Sequence, residues 1–271
     1  MPHPQRVHAV LFVLALFGGA SAQCRFEAPR VLDLDLDGVR AVQLVTGAGA
    51  LRVTGSADVD TLTARGRACA SSRARLDDVR LTASRDGNVL VLRTETPRGG
   101  LFFSYAYLDL VVVAPDTLAI EIDDGSGEIV VSDVGSLRLT DGSGDVRVDR
   151  VAGDLILEDG SGDVEVHDVG GRLEVVRDGS GDLRLSGVGG SVEVVRDGSG
   201  EIDATGVGGS VRIGDDGSGG IRVENVRGEV RIEQDGSGDV DVRGVGADFV
   251  LLRDGSGSVR YADVAGTVEV P

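Results

Sequence analysis

The tetrapeptide Asp-Gly-Ser-Gly occurs eight times, beginning at Asp124, Asp141, Asp159, Asp178, Asp197, Asp216, Asp235 and Asp254. The spacing is 17 residues, then 18, then 19 five times running. A near-constant period of this length marks a chain built from stacked supersecondary units. Aligning the copies on the Asp brings up apolar columns. Five residues on stand Ile129, Val146, Val164, Leu183, Ile202, Ile221, Val240 and Val259. Ten residues on, every copy has Val, from Val134 to Val264. A second alternating pair follows in each unit, such as Leu173 and Val175, or Val211 and Ile213. Alternation of β-branched residues between Gly turns predicts strands with one buried face.

Each unit therefore reads as strand, turn, strand, turn. A single unit cannot bury its own apolar face, so the units must stack and share a core. The predicted fold is all-β, a parallel β-solenoid of ~19-residue, two-strand coils. Eight coils at ~4.8 Å each make a rod segment roughly 40 Å long. Right-handed crossovers are the expected hand. One outward column supports the stacking separately: Arg147, Glu165, Arg184, Asp203, Arg222, Asp241 and Arg260 alternate in sign at the repeat period. As vertical neighbours in parallel coils they would attract, by up to ~1 kcal/mol per pair.

Residues 1–22 stand apart from this pattern. Arg6, the apolar run Ala9 to Phe17 and the small residues Ala20, Ser21 and Ala22 predict a signal peptide cleaved near Ala22. The run is too short for a membrane-spanning helix, which needs ~20 apolar residues. The expected location is periplasmic or extracellular. Cys24 and Cys69, the two cysteines of the chain, then predict a disulfide. Lipid attachment at Cys24 is the rival reading, weakened by Gln23 and Ser21 in place of the usual small residue and Leu.

Residues 23–115 lack the tetrapeptide but keep strand patterning, as in Val31 to Leu36 and Leu108 to Val113. They predict irregular opening coils and a cap, with an excursion around 57–107, before a regular solenoid over 116–271. The segments Gly47 to Gly55 and Leu108 to Pro115, with the repeated Asp-Gly-Ser-Gly, resemble the bacterial putative-adhesin family of unknown-function domains, in the numbering of domain 4097 or the head-GIN type. The resemblance spans roughly 31–270 and implies a β-solenoid with an adhesin-like role. It supplies no binding residues to carry over.

Removing residues 1–22 takes away Arg6 and no acid, so the formal charge of −18 becomes −19. The chain has no Lys. Nucleic acid is excluded as a partner, because its phosphates are bound through a cationic footprint. Cations are another matter. The eight corner Asp would stack in one ladder, with Asp145, Asp163, Asp182 and Asp239 among a second file four residues later. Like charges ~4.8 Å apart repel by ~0.9 kcal/mol even in water. A row of Ca²⁺ would relieve that repulsion. Turn chemistry, with Asp accepting backbone N–H bonds and Gly supplying positive φ, explains the motif without a metal.

Phe102, Phe103, Tyr105 and Tyr107 hold four of the seven aromatics after residue 22. They read as a packing cluster over the end of the solenoid, or as a contact for a glycan or protein partner. His167, the one His after residue 22, falls at an outward repeat position. Without Lys and with identical Ser residues in equivalent turns, general bases and a singular nucleophile are scarce. The expected function is a non-catalytic adhesin-like or scaffolding surface with no cofactor. A Ca²⁺-stabilised solenoid is the first alternative, and a polysaccharide-acting enzyme is the second. The C-terminal residues Val268, Val270 and Pro271 show no sorting motif, anchor or barrel, so an autotransporter is not expected. A monomer or a weak end-to-end dimer is.

Overall fold

The computed structural model describes residues 24–97, 99 and 104–271. The predicted signal segment 1–22, with Phe102 and Phe103, lies outside the described residues. The described chain forms two twelve-stranded sheets and one short helix, Arg73–Asp77. Each repeat gives one strand to each sheet. Val146–Val151, after its corner, belongs to the first sheet, and Ser136–Asp141, which ends at the corner Asp, belongs to the second.

Successive coils pair in parallel and in register. Val146, Val148 and Val151 lie opposite Val164, Val166 and Val169 in the first sheet. Leu137 and Leu139 lie opposite Leu155 and Leu157 in the second. The columns read from sequence are the core: Ile129, Val146, Val164, Leu183, Ile202, Ile221 and Val240 are at most 1% exposed. Burying one such Val or Leu contributes ~1.5–3 kcal/mol, gained only when the next coil covers it.

The drift in spacing has a structural cause. In the shortest unit the turn from Val134 to Leu137 is tight; in the next, Val151 to Leu155 takes one residue more. The 19-residue units add a bulge as well. Leu157 pairs with Val175 but Glu158 with Arg177, which leaves Val176 as the inserted residue. Equivalent insertions put Val195 and Leu252 on the surface, and all three are 37–43% exposed. A bulge resets the facing of the residues after it. Here it keeps Asp178 pointing inward.

The predicted irregular opening region contains a regular coil, Ala41–Val45 and Leu51–Ser56. It stacks on Ala119–Asp124 and Ile129–Val134. Its other side carries Val89–Glu95 and Ala106–Pro115. That coil is thus clamped between two segments that come later in the chain. Beyond it the pairing turns antiparallel. Thr61–Ala70 lies against Ala106–Pro115, Phe26–Asp35 against Thr61–Ala70, and Arg80–Asp86 against Val89–Glu95. Such strands close one end of a parallel stack that would otherwise offer an open edge. Cys24 and Cys69 are joined, with Cα atoms 5.6 Å apart, and tie the first strand to this cap. The thiol of Cys24 is therefore taken up by a disulfide rather than by a lipid.

Candidate functional site

The corner is set by its second Gly. Gly219 has φ +146, a conformation open in practice to Gly alone, and a Cβ there would stand 1.6 Å from the carbonyl oxygen of Gly200 in the coil beneath. The chain can thus turn and stack at backbone distance. Gly144 N–H donates to Ser161 O at 2.9 Å, and Gly160 N–H to Asp141 O at 3.0 Å.

The two acidic files go to opposite sides of this corner. The corner Asp shares the inward facing of the apolar residues before it, as in Ile120, Ile122 and Asp124. Asp124, Asp141, Asp159, Asp178, Asp197, Asp216 and Asp235 are 1–4% exposed. Asp254, in the last corner, is less covered. Burial pushes the Asp124 and Asp141 carboxyls up to about 6.

Asp145, Asp163, Asp182 and Asp239 face outward. Each accepts a backbone N–H from the next coil: Asp163 to Asp145 at 3.2 Å, Asp182 to Asp163 at 3.1 Å, Glu201 to Asp182 at 3.0 Å, and Ser258 to Asp239 at 3.0 Å. The bond from the Asp182 N–H comes first among the causes that hold Asp163 below the usual carboxylate range, and the Ser258 hydroxyl does the same for Asp239. Among the described residues, no three His, Cys, Asp or Glu side chains gather as a metal site requires.

The alternating outward column is in register, with Arg147 opposite Glu165, Glu165 opposite Arg184, and Arg222 opposite Asp241. Its ion pairs differ from the vertical ladder predicted. Arg147 does meet Glu165. Arg184 instead turns to Asp182 at 2.6 Å and Asp163 at 3.4 Å, and Arg260 to Asp239 at 3.1 Å. The outward acids at the strand start lie within a guanidinium's reach and are already fixed by backbone bonds, so they win. These pairs are half exposed and individually weak. Arg184→Ala is expected to change stability by less than ~1 kcal/mol, checked by chemical denaturation.

His167 is less bland than its outward position suggests. Its Nδ1 lies 2.6 Å from Ser186 Oγ and its Nε2 2.8 Å from Glu165 Oε1. His167 and Arg147 together lower the Glu165 pKa, the hydrogen bond to His167 most of all. The trio stands on a flat strand face, with the His167 side chain 32% exposed. Aligning the residue eight past each corner Asp, which reads Asp149, His167 and Ser186, would have found this neighbourhood from the sequence.

A shallow furrow runs beside that face along the turns. One stretch of about 520 Å³ is lined by Asp133, Arg150, Asp168, Gly187 and Gly189. The next continues past Gly206 and Asn225. Residues at this turn take φ between 56 and 71, which favours Gly, Asn and Asp. Arg150 is the exception, and its guanidinium grips Asp133 with two bonds of 2.6 and 2.8 Å.

Tyr105 and Tyr107, with ring centroids 6.2 Å apart, sit in the cap. Tyr107 lies opposite Cys69 across the antiparallel pair, and the Tyr105 hydroxyl accepts the Arg25 N–H at 3.2 Å. These two aromatics therefore pack where the disulfide closes the stack.

The family model described as "Putative auto-transporter adhesin, head GIN domain" matches residues 71–246. This is the head-GIN type rather than domain 4097. Among solved structures, a putative adhesin from Bacteroides fragilis is 12% identical, covers 89% of this chain and 96% of its own, and has a TM-score of 0.45. A putative lipid binding protein from Parabacteroides distasonis is 15% identical, covering 89% and 96%, at a TM-score of 0.44. A putative cell adhesion protein from Clostridium sporogenes is 11% identical, covering 90% and 100%, at 0.28. No curated protein matches the chain.

Proposed function

Since the chain belongs to the family of putative auto-transporter adhesins with a head GIN domain, we propose that it is a non-catalytic, adhesin-like β-solenoid of the cell envelope or exterior, contacting glycan or protein through its repeated outward face. The observation that carries this reading is the in-register outward column from Arg147 to Arg260, in which Arg recurs in every second coil between acids, so that one charge pattern repeats along the rod. Weak contacts repeated at a fixed spacing on a rigid rod add up to avidity without any deep pocket. The Cys24–Cys69 disulfide supports export, because such bonds persist in oxidising compartments. No helix among the described residues is long and apolar enough to cross a membrane.

The enzyme reading rests on Ser186, His167 and Glu165. Against it stands the open face, which has nothing to exclude water or to hold a substrate over Ser186. The test is to immobilise envelope polysaccharides and surface proteins, pass the purified protein over them, and analyse both the retained fraction and the ligand. Retention with the ligand intact is the expected result. Cleaved ligand, lost on Ser186→Ala, would make the trio a catalytic site and overturn the proposal.

A further inference from the structure

The buried corner carboxyls present a problem that turn geometry does not solve. Backbone N–H groups of the turn, those of Gly125 and Ser126 toward Asp124 and of Gly142 and Ser143 toward Asp141, hold these carboxyls down, but burial outweighs them. No side-chain oxygen of the seven buried corners makes a hydrogen bond of ordinary geometry to another described residue. The carboxyls face one another instead. Asp141 lies opposite both Asp124 and Asp159, Asp178 opposite Asp197, and Asp216 opposite both Asp197 and Asp235. Fully ionised, each would be a buried charge between like charges one coil away, at ~4.8 Å. A carboxylate only accepts, so two facing carboxylates cannot bond. One proton between them turns the repulsion into a short, charge-assisted hydrogen bond.

We infer that the corner aspartates form a proton-sharing ladder, acid alternating with carboxylate from coil to coil, so that the solenoid takes up protons as it folds and loosens in alkaline medium. The neighbours make the alternation specific. Burial first, then the bonds to its ladder neighbours, drive Asp178 up to about 8 and Asp216 up to about 9. Asp159, Asp197 and Asp235 are also raised by burial, but each is drawn back by accepting from one or both of those two acids. The other groups acting on the ladder are Thr46 on Asp124, Asp182 on Asp197, Asp254 on Asp235, and the backbone N–H groups of the corner Gly and Ser on Asp124, Asp141 and Asp159 and of Gly198 on Asp197. No arginine forms an ion pair with the buried seven among the described residues.

The sign comes from linkage. A carboxyl whose folded pKa lies above its unfolded value stabilises the fold fully below the unfolded value. That contribution is lost as pH rises through the folded value. For Asp124 and Asp141 the loss runs up from the ordinary carboxylate range and is complete near pH 6, while for Asp178 and Asp216 it continues up to about 8 and 9.

The experiment is chemical denaturation of the purified protein from pH 5 to 9.5, with infrared spectra of the folded state at pH 7. The unfolding equilibrium constant is expected to rise with pH, about tenfold per unit for each proton the fold holds. The spectrum is expected to contain the carbonyl band of un-ionised carboxylic acid. Asp216→Asn keeps the shape and a donor but does not titrate, so it should flatten the slope and weaken the band. Should that variant fail to fold, the wild-type band and slope decide alone. Stability independent of pH over this range, with no un-ionised carboxyl band at pH 7, overturns the ladder. So does a midpoint raised by millimolar calcium while the band disappears, which would give the corner to a metal.

Discussion

Gly219→Ala lowers the stability of the fold by ~3 kcal/mol or more, while Gly220→Ala one residue on changes it by less than ~1 kcal/mol. The two glycines share a corner but not a constraint. At Gly219 the backbone has φ +146, and an added methyl would meet Gly200 O at 1.6 Å. No side chain is there to swing away; a backbone carbonyl of the coil below must move. At Gly220 the nearest atom is Asp239 O, at 3.7 Å. Equilibrium denaturation of both variants checks the pair, and equal losses would mean that the coils do not stack at backbone distance.

Cys24→Ser is expected to destabilise the cap by ~2–4 kcal/mol, the range for a disulfide closing a loop of this size. The bond spans a sequence separation of 45 and holds the start of Phe26–Asp35 to the end of Thr61–Ala70. In a stacked array each coil contacts only its neighbours, so the damage stays local. Hydrogen exchange should accelerate in 26–35 and 61–70, with coils from Ile129 onward protected as before. Loss of protection along the whole rod would contradict that locality.

The regular coils were legible because their period, their apolar columns and their charge column all repeat. Any two of these fix the register. The N-terminal order was not legible. Residues 41–56 settle between two later segments through pairings such as Val42 with both Leu90 and Ile120, and no local pattern encodes that choice. The inward facing of the corner was written in the chain, since Leu137, Leu139 and Asp141 share strand parity. The bulge at Val176 hid it in the longer units by shifting that parity. On the outer face the column of alternating charges was readable, but not the pairing geometry. Arg184 could reach Asp182 on its own strand as readily as a vertical neighbour, and only the backbone bonds holding the outward acids decide between them.

A surface that works by repetition loses affinity in steps. The most direct measurement is therefore binding to an immobilised envelope glycan or surface protein by the wild type and by variants with one to four of Arg147, Arg184, Arg222 and Arg260 changed to Ala. These arginines sit on the exposed face in separate coils, and each half-exposed pair is worth little to the fold. The account predicts graded weakening with each substitution while the unfolding midpoint moves little. Full loss on a single change would point to one localised site, and unchanged binding through all four would contradict the assignment of this face.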